Sequence, residues 1–226
     1  MYQAKSQDLG SGFLLVFYLK TITIHCMDIL GKILGNEARV RIMRLFLLNR
    51  GKGFKSKDIV KRSRVPSGAV GRELRLLSSV GFVKKRSAAA QEWYFNSLFK
   101  YTREFEDLLV MSNTFDRRVI IDHFKKSGRL KLVIIAGVFI KNNDSRVDLL
   151  IVGEGMKARM VEEGAKKLEA LIGTELVYAV FDKKEFAYRV SMYDKLVRDI
   201  LDFPHEVVLE SQELSTSALK KAQKLL

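Results

Sequence analysis

Pro66 limits the fold of this chain more than any other residue. It is one of 2 prolines in 226 residues, and it stands in Val65-Pro66-Ser67-Gly68, between two runs with helical apolar spacing. Proline has no amide hydrogen and its ring clashes with the preceding turn, so a helix reaching it must stop. Ser56 opens a short helix before it, Lys57-Asp58-Ile59-Val60-Lys61-Arg62. Ser67 is read as the cap of the next helix, which runs to Val80 and closes at Gly81. Upstream, Asn36 caps a helix starting Glu37-Ala38-Arg39, with Glu37 at the positive end of the dipole. Ala38, Ile42, Leu45 and Phe46 share one face of it, and Gly51 and Gly53 end it.

In the helix after Pro66, Val70, Leu74 and Leu77 form the buried stripe, while Gly68, Arg72, Arg75 and Ser79 point the other way. Two short helices joined by a short turn, with small residues first and two arginines outermost, make a helix-turn-helix arrangement. The second helix of that motif lies in the major groove of DNA with its N-terminal part on base edges. Arginine donates two hydrogen bonds to guanine, and small Gly68 and Ala69 let the backbone come close. Arg72 and Arg75 equally suit an ordinary solvated face, and the helix alone does not separate the two. The next segment does more. Phe82-Val83-Lys84-Lys85-Arg86 and Gln91-Glu92-Trp93-Tyr94-Phe95 are β-prone runs separated by Ser87-Ala88-Ala89-Ala90, which reads as a hairpin. Lys84, Lys85 and Arg86 suit phosphate, a contact that positions without specifying. Trp93, Tyr94 and Phe95 are expected to pack in the core rather than to stack on bases.

Three helices followed by a hairpin form a winged helix. The region 36–95 resembles the winged helix-turn-helix domain of bacterial and archaeal ArsR- or MarR-like regulators. The resemblance is carried by Glu37-Ala38-Arg39-Val40-Arg41-Ile42, Val65-Pro66-Ser67-Gly68-Ala69-Val70, Arg72-Glu73-Leu74-Arg75-Leu76-Leu77 and Gly81-Phe82-Val83. It implies a transcriptional regulator that binds double-stranded DNA. Regulators of this kind commonly form homodimers through flanking helices, so the amphipathic segments 99–111 and 116–126 serve either a dimer or packing within one chain.

The charge distribution agrees. The chain carries a formal net charge of +14, with 47% apolar residues, enough for a core and too many for a disordered chain. Residues 36–104 hold 17 Lys/Arg against 5 Asp/Glu, whereas residues 116–210 hold 17 against 16. A cationic block that also carries a regular apolar pattern points to a polyanion-binding domain, although a merely basic domain has the same count. Cys26 is the single cysteine, which excludes a disulfide framework and a multi-thiolate zinc site. His25, His123 and His205 are scattered, so neither a metal site nor a cofactor is expected, and the default compartment is the reducing cytoplasm. The apolar run from Phe13 to Leu19 is only 7 residues, too short for a bilayer. Only Lys5 precedes it and no small-x-small cleavage pattern follows, so no membrane or secretory role is expected. Residues 1–26 either add an apolar element to the core or extend a chain whose globular pattern starts at Met27.

The second half reads as strands at 130–140, 147–152 and 175–181, helices at 157–172 and 185–201, and a last short strand at 207–209. Ile134-Ile135-Ala136-Gly137-Val138, Asp144-Ser145-Arg146-Val147-Asp148-Leu149-Leu150-Ile151-Val152-Gly153 and Phe181-Asp182-Lys183-Lys184-Glu185-Phe186-Ala187-Tyr188-Arg189 are similar to a minimal nucleotidyltransferase of the polymerase-β superfamily. In active members a Gly-Ser pair holds phosphates, and an Asp-x-Asp pair with a third carboxylate holds two magnesium ions for phosphoryl transfer. Here Gly137 is followed by Val138, position 146 is Arg, and only Asp148 remains of the pair. Glu175 does not clearly replace the third carboxylate, expected near Val177. A guanidinium beside Asp148 would neutralise it and repel Mg²⁺. Gly137 and Asp148 are therefore read as a vestigial nucleotide site.

The expected fold is α+β. An N-terminal extension (1–26) precedes a winged helix-turn-helix domain (27–98), a helical connector (99–128), a nucleotidyltransferase-like α/β domain (129–212) and a tail helix (213–226). The expected function is sequence-specific DNA binding in transcription regulation, through Ser67, Gly68, Ala69, Arg72, Arg75, Lys84, Lys85 and Arg86. The second domain would then sense a nucleotide effector, dimerise, or dock a partner protein, and would not be an enzyme. The alternative is an active Mg²⁺-dependent nucleotidyltransferase that holds its substrate with the basic domain.

Overall fold

The computed structural model describes residues 29–86, 91–111, 117–142 and 144–214. The expectations for residues 1–26, for the hairpin tip at 87–90 and for a tail helix beyond Leu214 lie outside them. Among the described residues nine α-helices and two sheets make an α+β fold.

In the first half, α1 (Ile29–Ile33) leads into α2 (Glu37–Leu48). The Asn36 side chain accepts the Arg39 amide at 3.2 Å, the expected cap. A short β1 (Phe54–Lys55) precedes α3 (Ser56–Ser63), where the Lys55 amide donates to Asp58 Oδ2 at 3.3 Å. Arg64 ends α3 in the left-handed region at φ 54°. Next comes α4 (Ser67–Ser79). Pro66, not Ser67, is the residue ahead of its first turn, and its carbonyl accepts the amides of Ala69 (2.9 Å) and Val70 (3.0 Å). Ser67 is the first helical residue and no side chain caps the helix, because the fixed φ of proline already sets the entry. Gly81 closes the far end at φ 75°.

The hairpin forms as expected: β2 (Val83–Lys85) pairs antiparallel with β3 (Glu92–Phe95), in the register Val83 to Phe95 and Lys85 to Trp93. β1 pairs along the other edge of β3, a third strand too short to read in the sequence. Phe82 is buried and meets Phe95 and Phe99 edge-on, with centroids 5.3 and 5.2 Å apart. Such pairs add about 0.5–1.5 kcal/mol each beyond burial, and they hold the hairpin against the helices.

The segment 99–111 forms α5 (Thr102–Glu106), continued by one π-helical turn (Asp107–Met111). Leu109 is buried in the core of α2, α3 and α4, and Phe99 and Phe105 pack against it. By contrast α6 (Arg117–Phe124) buries Ile120 and Phe124 in the core of the second half. The two connector helices thus belong to different cores.

The second sheet has the order β6-β5-β4-β7. β4 (Arg129–Ile135) pairs antiparallel with β5 (Leu149–Glu154) and with β7 (Glu206–Glu210), and β5 pairs parallel with β6 (Tyr178–Asp182). Leu132 and Ile134 face one core, whereas Val133 and Ile135 face the other, so β4 is covered on both sides and its apolar run is continuous. One cover is α6 with α7 (Ala158–Ile172). The other is α8 (Lys183–Ser191) with α9 (Lys195–Asp202). The single helix expected over 185–201 is therefore two. Tyr193 sits at φ 52°, and Asp194 breaks the run by accepting the amides of Leu196 (3.0 Å) and Val197 (3.2 Å).

The two halves are joined through buried polar groups. Arg44 is only 1% exposed. It donates to the Leu109 carbonyl (2.8 Å) and the Leu171 carbonyl (3.1 Å), the latter at the negative end of α7. Asn49 donates to the carbonyls of Leu45 and Gly173, both at 2.8 Å. Gly173 adopts φ 98°, and a Cβ there would lie 2.7 Å from the Arg44 carbonyl carbon, so glycine answers both the helix end and the approach of α2.

Candidate nucleic-acid interface

The outer face of α4 is set by what its inner face buries. Val70, Leu74 and Leu77 are buried as the spacing predicts. Glu73 is buried with them at 6% exposure, and it accepts from Arg39 Nε at 2.8 Å and Asn36 Nδ2 at 2.6 Å. Sequence reasoning missed this carboxylate, although Glu73 stands three residues after Val70 and four before Leu77, on the buried stripe. Held by its apolar stripe and by Glu73, α4 turns Ser67, Gly68, Arg72, Arg75 and Ser79 to solvent, with Ala69 half-buried. The Arg72 guanidinium folds back over Gly68 and the Arg75 guanidinium over Gly71, each 3.9 Å from where a Cβ would stand. Leu76, on the same face, is 40% exposed.

Lys84, Lys85 and Arg86 are exposed on the hairpin. Lys85 Nζ lies 4.9 Å from the Trp93 ring centroid and the Arg86 guanidinium 5.8 Å from that of Tyr94, so the aromatic strand supports the basic one from beneath. Phe95 is buried and Trp93 half-buried against the core, as expected, while the half-buried Tyr94 donates to Glu92 Oε2 at 2.8 Å. That bond raises the Tyr94 phenol above its ordinary pKa.

Neighbouring arginines are already paired: Arg39 with Glu73, Arg50 with Glu106, Arg62 with Glu175 and Arg64 with Glu163. Arg72, Arg75, Lys84, Lys85 and Arg86 have no acidic partner among the described residues. These five cations lie together on one helix face and the adjoining strand; exposed Lys57, Lys61 and Lys100 are likewise without an acidic partner among the described residues.

Gly137 and Asp148 are brought together, but into a closed arrangement. Asp148 is 8% exposed; its Oδ1 accepts the Val138 amide and its Oδ2 the Val177 amide, both at 2.9 Å. Gly137 adopts φ 53°, and a Cβ there would collide with Asp148 Oδ1. The carboxylate thus ties two loops of the sheet together. The expectation that Arg146 neutralises it is corrected: Arg146 Nε pairs with Asp199 Oδ2 at 2.8 Å, because Asp148 is turned inward to the amides. Glu175, exposed, pairs with Arg62 instead. No group of three or more His, Cys, Asp or Glu among the described residues is arranged to hold a metal ion. No described helix is long and apolar enough to cross a membrane. Comparison with protein-family models, curated proteins and solved structures finds no match to this chain.

Proposed function

We propose that the protein is a sequence-specific regulator that binds double-stranded DNA through α4 and the β2–β3 hairpin. The observation that carries this reading is the pair Arg72 and Arg75, exposed and without acidic partners among the described residues, on a helix whose inner face is fixed by Glu73. In the groove the two guanidiniums would read guanine edges, Leu76 would meet thymine methyls, and Gly68 would admit the backbone. Lys84, Lys85 and Arg86 would lie on phosphate. A homodimer would place two such helices on half-sites about 34–36 Å apart.

The second half is proposed to act without phosphoryl transfer. Asp148 is buried with each oxygen held by a main-chain amide, and no group of three or more His, Cys, Asp or Glu among the described residues is arranged to share Mg²⁺ with it. Selection from random duplex DNA tests the reading. An enriched motif is expected for the native protein, lost in Arg72→Ala/Arg75→Ala while the fold persists. Retention of that motif at undiminished affinity would refute it.

A further inference from the structure

The two edges of the second sheet differ. β7 is guarded twice: its register against β4 shifts between Val133 and Ile134, and Glu206 and Glu210 stand at its ends. Irregularities and charges of that kind keep an edge from pairing with another chain. β6 has neither guard. It runs against β5 without interruption from Tyr178 to Asp182, with no proline or lysine. Asp182, its one charged residue, is the last of the strand and caps α8 by accepting the Lys184 amide at 2.9 Å. Val177, just ahead of the strand, is 58% exposed. No described strand lies on the outer side of β6.

The open groups on that edge follow from the pairing with β5. The Val177 amide donates to Asp148 Oδ2 at 2.9 Å, and its carbonyl accepts the Asp148 and Leu149 amides at 2.7 and 3.3 Å, so Val177 bonds toward β5. Bonding direction alternates along a strand. Ala179 and Phe181 therefore bond toward β5 as well, and the amides and carbonyls of Tyr178 and Val180 point away from the sheet. Among the described residues nothing pairs with them.

We propose that β6 pairs with β6 of a second copy of this chain, antiparallel across a two-fold axis at Val180, so that two sheets become one. The strand matches itself in that register. Val180 of each copy donates to and accepts from Val180 of the other, Tyr178 stands opposite Asp182, and Ala179 opposite Phe181. No like charges meet, and a small side chain faces a large one. The same operation on β7, centred at Val208, opposes Glu206 to Glu210, which repel. Self-matching of this kind selects a second copy over an unrelated strand. A two-fold dimer also supplies the paired α4 helices that the DNA-binding reading calls for, but the interface itself does not rest on that reading.

Sedimentation equilibrium of the full chain without DNA, from about 1 to 100 µM, tests the interface. A concentration-dependent dimer is expected. Proline lacks the one amide hydrogen that Val180 turns outward, so Val180→Pro spares the bonds to β5. It is expected to weaken the dimer about tenfold or more with little change in the urea midpoint. Val177→Lys, at an exposed position that keeps its backbone bonds, is expected to weaken the dimer likewise by placing a cation on the edge. If Val180→Pro lowers the urea midpoint, Val177→Lys alone decides. A chain that stays monomeric throughout leaves the edge to another occupant and overturns the proposal. A dimer left intact by Val177→Lys, or by a folded Val180→Pro, overturns it as well. Failure of the protein to select any DNA motif sinks the DNA-binding reading and leaves the sedimentation result standing.

Discussion

Glu73 on α4 accepts a hydrogen bond from Arg39 on α2 at 2.8 Å, with only 8% of its side chain exposed. A buried carboxylate on the helix that presents Arg72 and Arg75 fixes the rotation of that helix against the rest of the first half. Glu73→Ala leaves Asn36 and Arg39 without their acceptor. The expected cost is about 1–3 kcal/mol in urea unfolding, together with weaker DNA binding although both arginines remain. Glu73→Gln, which keeps an acceptor oxygen, is expected to recover part of both losses.

The hairpin cations act on affinity rather than on sequence. Replacing Lys84, Lys85 and Arg86 by alanine is expected to lower the slope of log affinity against log salt by about 2–3, with the selected motif unchanged. Fluorescence anisotropy over a salt series measures both. An altered motif would place these residues on base edges.

Asp148 is expected to matter for stability and not for chemistry. Asp148→Ala strands the amides of Val138 and Val177, which costs about 1–3 kcal/mol in denaturant unfolding. DNA affinity is expected to stay at the native value under conditions where the variant is folded. Magnesium-dependent nucleotidyl transfer that disappears with this substitution would reverse the assignment.

His123 gives the second half a pH dependence. It is partly buried on α6, with Nδ1 2.6 Å from the Val119 carbonyl. Burial lowers its pKa below the ordinary value of 6.5, the nearby Lys167 and Arg41 add to that, and the Val119 carbonyl and Asp122 oppose it. The unfolded chain therefore takes up the proton more readily than the folded one. Stability is fully present above pH 6.5 and declines as the pH falls through the region below it. Urea midpoints are expected to drop between about pH 7.5 and 5.5, with a shallower dependence in His123→Gln.

Local chemistry made much of the first half legible. Pro66 stops a helix wherever it stands, Asn36 and Gly81 mark ends through their own backbone preferences, and the stripe Val70, Leu74, Leu77 follows from the period of the helix. The alternation of apolar runs and amphipathic segments likewise foretold strands alternating with helices in the second half. Other features depend on partners distant in the chain. Whether Glu73 is solvated or buried is decided by Arg39, 34 residues earlier. Arg146 chose Asp199 over Asp148 because two amides had already claimed the nearer acid. Arg62 and Arg64 count as basic residues in any composition, yet acids on or just beyond α7 cancel them, while Arg72 and Arg75 have no such neighbours among the described residues. Sequence patterning determines which residues face outward. Which outward charges remain uncancelled is decided by the packing of the two halves, since charge pairing acts over a few ångströms of space and takes no account of separation along the chain.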